Sequence, residues 1–285
     1  MKKLKQSQQD FTFAQLPHNR TEVFVDCYKM RWGTILVIGL FVLLFCLPLL
    51  CAEIFTDIVG TSIYDRLLKG EITETEAIAS LNSLRVLVAL IDIPCWSCLA
   101  VGLAGATRVI RQLAWGEPIF FFSDFKQGVK ESSLRFVVIF AICALLNFVR
   151  EFCQRWLSSI FILSLVPFVL LIFIVLPVAL WMLSQSTIYK VSFCRSFSNG
   201  IAFYGKTLLQ TLATVVVACL AWFITLISAI IVKYVVFALV IVLLVPAYLI
   251  FWFLFSSSIF DQYINKTNFP DFYDKGVYRL DTPVK

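Results

Sequence analysis

Six apolar runs dominate the chain, at 32–50, 86–107, 134–149, 157–183, 208–232 and 234–255. Crossing the hydrocarbon layer of a bilayer takes roughly 20 mainly apolar residues in a helix, and the runs meet that length, the third being the shortest. Only Lys233 separates the fifth from the sixth. Together these two are too long for one crossing, so the chain is expected to turn near that lysine. The pattern predicts an all-α fold: a polytopic membrane bundle of about six transmembrane helices.

The polar stretches between the runs complete the plan. Lys and Arg accumulate in the cytoplasmic segments of multi-pass proteins. With both ends inside, eighteen of the 24 bases fall in the arm (1–31), 108–135, 190–206 and the tail (261–285). Arg66, Lys69, Arg85, Arg150, Arg155 and Lys233 fall outside. The reading is therefore a cytoplasmic arm at 1–31, a transmembrane domain at 32–260 with an extracellular loop at 52–85, and a cytoplasmic tail at 261–285. Within that loop Thr73 and Glu76 have capping-box spacing, which predicts a helix starting there and running into the second span. Pro94 is expected to break or kink it.

One element recurs. Phe125-Lys-Gln-Gly128 leads into the third run and Phe197-Ser-Asn-Gly200 into the fifth, each after an aromatic-rich approach. Short amphipathic elbow helices in the inner interface, with phenylalanines in lipid and charges in water, would give this pattern. It fits either a parallel duplication of helical hairpins or two independent elbows.

Composition narrows the function classes. At 60% hydrophobic and 15% charged residues the chain is no water-soluble globule. The basic start followed by an apolar run resembles a signal peptide, but the run is long and no small-residue cleavage site follows, so it reads as the first span. A lipoprotein reading of Leu49-Leu50-Cys51 fails because no small residue precedes the cysteine. The nine cysteines lie mostly in or beside apolar runs and read as small hydrophobes. The single histidine, His18, leaves no multi-histidine metal site and no ordinary Ser-His dyad in the membrane. No phosphate-binding G-x-x-x-x-G-K-[ST] loop occurs. No cofactor is implied, and the net charge of +6 is accounted for by basic loops beside anionic lipid rather than by nucleic acid.

Several residues stand out. Asp92, two residues before Pro94, is the one acid inside a predicted span, and ionisable groups there are functional candidates by default. A proton or cation role stands beside pairing with Arg85 or capping a broken helix. Cys95 and Cys98 have C-x-x-C spacing near the outer face, the arrangement of a thiol oxidoreductase, although 52–85 holds no second cysteine pair. Ala100, Gly102, Ala104, Gly105 and Ala106 form a small-residue face suited to close helix packing, inside the bundle or against a partner. Gly116 is a plausible helix C-cap before Glu117 and Pro118. Around it, Arg108, Arg111, Asp124, Lys126 and Lys130 make either a solvated loop or a docking surface.

The stretch Gly102-Leu-Ala-Gly105-Ala-Thr-Arg108, then Arg111-Gln-Leu-Ala-Trp-Gly116-Glu117 and Ser123-Asp124-Phe125-Lys-Gln-Gly128-Val-Lys130, resembles the YesL family of small bacterial multi-pass membrane proteins. The likeness runs from Val86 onward and includes Cys46-Leu-Pro48, with Phe197 and Gly200 fitting less specifically. The acidic 52–85 segment departs from the compact members. The resemblance implies a non-catalytic bacterial plasma-membrane component that accompanies carbohydrate import by ABC transporters, and hence a membrane-protein partner, a transporter subunit or a second copy. The alternatives are an independent small-solute or ion transporter using Asp92, Pro94 and Lys233, and a thiol oxidoreductase using Cys95 and Cys98.

Overall fold

A computed structural model describes residues 16–157 and 160–278. Residues 1–15 of the expected arm, 158–159 of the expected fourth span and 279–285 of the expected tail lie outside the described residues. The chain is an all-α bundle, with six helices among the described residues long and apolar enough to cross a membrane. In lipid a backbone must satisfy its own hydrogen bonds, and the helix does so within one segment.

The first two helices are longer than the apolar runs that announce them. Helix α1 spans Arg20–Leu68 and α2 spans Glu74–Ala114. The expected loop at 52–85 is therefore a helical hairpin joined by a tight turn. Nothing after Pro48 stops α1 until Gly70, whose φ of +69° lies in the left-handed region open to glycine. Helix α2 then starts on the expected capping box: Glu76 N–H donates to Thr73 Oγ1 at 3.3 Å, and Thr73 N–H donates to Glu76 Oε2 at 2.8 Å. The hydrogen bonds from the Thr73 backbone and hydroxyl hold the Glu76 carboxyl below its ordinary range.

Pro94 does not break α2, which runs unbroken to Ala114. The proline is exposed on the bundle's outer surface. The one backbone hydrogen bond it deletes is absorbed within a 41-residue helix.

Helix α3 spans Phe121–Trp156, so the first expected elbow continues directly into the third span. The fourth crossing is composite: α4 (Phe161–Leu170), a π-helical turn (Leu171–Val175) and α5 (Leu176–Ile188). Prolines 167 and 177 bracket that wide turn. The Phe173 carbonyl accepts a 2.6 Å hydrogen bond from Tyr204 Oη. Helix α6 (Phe193–Lys206) is the second elbow, a separate amphipathic helix, and α7 (Leu208–Cys219) follows, ending in a 3-10 segment, Leu220–Leu226. Helix α8 is Ile230–Phe260. The chain turns at 227–229, just before Lys233, which lies in the first turn of α8.

Both described ends of the chain lie on one face of the bundle, here the terminal face; the α1–α2 turn lies on the opposite, hairpin face. Helix α2 is the hub, packed against α1, α3 and α8. A close backbone approach joins α1 to α8, where a Cβ on Gly39 would collide with the Val242 carbonyl. Gly33, six residues earlier, has nothing within 4 Å of that position. Gly39→Ala is expected to lower the thermal unfolding temperature in detergent markedly. Gly33→Ala should leave it unchanged or raise it, since Ala exceeds Gly in helix propensity by about 1 kcal/mol.

Candidate functional site

Charged and polar side chains gather at the two ends of the bundle. On the terminal face, α2 ends in a Schellman motif: Gly116 N–H donates to Leu113 O at 3.3 Å and Glu117 N–H to Gln112 O at 2.9 Å, with Gly116 at φ +68°. That turn aims α3 back along α2. Asp124 then ties the two, its carboxylate accepting from Gln112 Nε2 at 3.0 Å and from Phe120 N–H at 2.6 Å. Arg108 pairs with Glu131 of α3 at 2.6 Å, and Arg111 Nη1 donates to Thr187 O, the end of α5, at 2.8 Å.

The tail closes this face. Lys275 Nζ sits 4.3 Å above the Trp115 ring and 2.6 Å from Glu117 Oε1. Gly276, at φ +85°, presses so close to the Ala114 carbonyl that a Cβ would not fit. Arg20 joins the tail to α8 by bonding Asp261 Oδ2 at 2.5 Å and Lys275 O at 2.7 Å. Tyr189 Oη donates to Asn265, and Asn265 donates to Asp261. Burial, with the Asp261 charge nearby, pushes the Tyr189 hydroxyl above its ordinary range.

The small-residue face of α2 is filled by the chain itself. A Cβ on Gly102 would fall 2.6 Å from Phe45 of α1, and one on Gly105 2.6 Å from the Phe125 ring of α3. Gly128 answers from α3, against the Ala104 carbonyl and Arg108. Gly200 plays the matching part in α6, against Val178 and Met182 of α5. The two F-x-x-G copies thus share their glycine's role, packing on the preceding span. Their phenylalanines differ: Phe125 is buried and Phe197 is 49% exposed. Lys126 and Lys130 are exposed.

On the hairpin face, Lys233 of α8 pairs with Asp57 of α1 at 2.5 Å, and Tyr234 Oη donates to the same carboxylate at 2.9 Å. Arg85 faces Glu53 at 3.6 Å. Arg155 of α3 bonds Glu151 at 3.1 Å and reaches Asn82 of α2 at 3.2 Å. Asp92 lies inward of this belt and is 6% exposed. Its Oδ1 has no hydrogen-bond partner, and the charged groups whose fields reach it are Glu53, Glu151 and Arg85. The expected pairing with Arg85 is replaced by Arg85–Glu53, and Asp92 caps nothing because α2 is unbroken. Cys95 and Cys98 are free thiols one turn apart in the same helix.

Sequence reasoning named Lys233 but not its carboxylate, and it missed Arg20, Asp261, Lys275 and Gly276. Asp57 sits seven residues beyond the first apolar run, and Asp261 follows the apolar part of α8 at the start of a π-helical turn, positions where an acid sets the edge of a span. Among the described residues, no three His, Cys, Asp or Glu side chains are grouped to hold a metal ion. No family model, curated protein or solved structure matches the chain.

The Asp57–Lys233 pair is mostly buried, at 15% and 13% side-chain exposure. Removing one partner strands the other, so Asp57→Ala or Lys233→Met alone should cost on the order of 3 kcal/mol. The double variant should cost clearly less than the two singles together, as read from a double-mutant cycle of unfolding in detergent.

Proposed function

We propose that the protein is a non-catalytic accessory or scaffolding subunit of a membrane assembly, and that its partner is a solute importer of the carbohydrate class that the YesL resemblance implies. The observation that carries this reading is the α1–α2 hairpin. Past the Asp57–Lys233 bridge α1 continues for eleven residues, a projection of about 16 Å at the helical rise. Lipid-facing leucines within a span need no explanation, but here Ile58, Tyr64, Leu68 and Ile78 stay 51–70% exposed beyond it. Around them lie Asp65, Glu71, Glu74 and Glu76, against Arg66 and Lys69. Apolar anchors in an acidic surround suit a partner with apolar sockets and a basic rim.

The small-residue face of α2 is occupied internally, which leaves the hairpin as the better candidate for contact with another subunit. In this reading both termini are cytoplasmic in a bacterial plasma membrane, on the bias of basic residues, and the hairpin is extracytoplasmic. The test is affinity purification after mild detergent extraction. A reproducible membrane partner should accompany the parent chain and be lost from Ile58→Asp/Tyr64→Asp, with unfolding temperature unchanged. Undiminished recovery with that variant overturns the role of the hairpin. Isolated monomer under several mild conditions overturns the accessory reading.

Asp92 favours a second reading, an independent ion or small-solute transporter. A buried carboxylate without a hydrogen-bond partner is costly in a membrane protein, and such groups mark ion paths. Reconstituted liposomes should then show flux above empty vesicles that Asp92→Asn abolishes; flux equal to that of empty vesicles removes this reading.

A further inference from the structure

The second half of the bundle carries its charge differently from the first. No Asp or Glu occurs between Glu151 and Asp261. On the terminal face this stretch still holds Lys190, Arg195 and Lys206, all exposed and none bridged to a carboxylate among the described residues. Helix α6 has the build of an interfacial helix. Ser196, Gly200 and Phe203 face α5, while Phe193, Phe197 and Ile201 form an exposed apolar stripe at four-residue spacing.

Next to α6 the bundle is open. Helix α7 leans on α5 and α6, anchored where Trp181 Nε1 donates to Thr211 Oγ1 at 3.2 Å. Its 3-10 continuation meets α8 towards the hairpin face. Nearer the terminal face a groove of about 390 Å³ separates the two, walled by Gln210, Ala213 and Val217 on α7 and by Tyr248, Phe251 and Phe255 on α8. Each set recurs at three- and four-residue steps, so each is one continuous helical face.

The wall is apolar in practice. Thr214 spends its hydroxyl on the Gln210 carbonyl at 2.8 Å. The Tyr248 hydroxyl is buried and has no hydrogen-bond partner, so the ring offers the groove its apolar face. Four residues before Gln210, at the end of α6 and just before the bend at Thr207 that starts α7, Lys206 Nζ rests 3.7 Å from the centroid of the Tyr263 ring, which fixes its position and leaves its charge unneutralised.

We propose that this groove and the basic elbow at its mouth bind one anionic phospholipid. An acyl chain lies between α7 and α8, and the headgroup phosphate meets Lys206. Juxtamembrane Lys and Arg attract anionic headgroups by about 1 kcal/mol each, and basic pockets between helices take them specifically. The occupant is a lipid rather than a protein helix because the groove, with half-exposed Val217 and Phe251, is open on the lipid-facing side and, at about 390 Å³, is too small for a helix of roughly 10 Å diameter.

Native mass spectrometry of the full chain in mild detergent tests this, with phosphatidylglycerol and phosphatidylcholine of identical acyl chains as probes. One phosphatidylglycerol should stay bound per chain, and more tightly than phosphatidylcholine. Lys206→Gln should shrink that preference about fivefold. Ala213→Trp and Val217→Trp fill the groove and should abolish retention of both lipids. Leu239→Trp, nine residues before Tyr248 and so on the opposite side of α8, should change nothing. Val217 is 57% exposed, so its replacement leaves folding intact and keeps the test decisive. Equal retention of the two lipids by the parent chain, no lipid at one-to-one stoichiometry, or full retention by Val217→Trp would each overturn the proposal.

Discussion

Two apolar side chains gain little from meeting each other when the alternative neighbour is a lipid tail, so a membrane bundle holds together by shape. Here shape is set by glycines. Gly39 brings α1 onto the backbone of α8, Gly102 admits Phe45, and Gly105 and Gly128 let α2 and α3 interlock around Phe125. In each of these contacts a single added carbon has no space. Helix α2 takes part in most of them, and its terminal end carries Arg108, Arg111, Gln112 and Trp115 to the elements that cover that face.

Polar contacts then fix what packing leaves free, the axial register of the helices. At the hairpin face Asp57–Lys233 locks α1 to α8, and Arg155 links α3 to α2. At the terminal face Arg20–Asp261 joins α1 to the end of α8, while Lys275 lays the tail across Trp115. A charge moved one turn inward on any of these helices would be left in hydrocarbon, so the two belts also define where each span stops.

The spans were legible because the constraint that makes them is local: a backbone in lipid needs an unbroken apolar helix, and that is written as a run of residues. The capping box at Thr73 and the C-cap at Gly116 were legible for the same reason, each being satisfied within a few positions. The α1 arm of the hairpin was not, because a helix does not end where hydrophobicity ends; with no stop signal after Pro48 until Gly70, α1 continues through polar sequence. A break at Pro94 was one of the two outcomes the sequence offered, and the long helix around it absorbs the lost hydrogen bond instead. Arg85 is two turns from Asp92 on α2, which favoured pairing them, yet Glu53 on another helix takes it. Likewise a small-residue face announces close packing without saying on what, and only the fold brings Phe45 and Phe125 to it.

Charge divides the molecule more sharply than topology does. Fourteen of the 18 acids lie at or before Glu151 and the other four at or after Asp261, so the stretch between them holds bases and no acids: Arg155, Lys190, Arg195 and Lys206 beside the fourth and fifth crossings, and Lys233 in the sixth. In the first half, acids and bases meet as pairs between helices, and Asp65, Glu71, Glu74 and Glu76 stand on a hairpin that reaches past the span. In the second half, Lys190, Arg195 and Lys206 on the terminal face meet no carboxylate among the described residues, and α7 stands off α8. A face with unneutralised lysines, an apolar elbow and a lateral groove is completed by what a bilayer supplies, namely phosphate and hydrocarbon. An acidic projection with exposed aromatic and aliphatic side chains finds its complement on another protein. The proposed partner subunit and the proposed lipid therefore belong to opposite ends of the bundle and opposite halves of the chain, and neither site draws on the residues of the other.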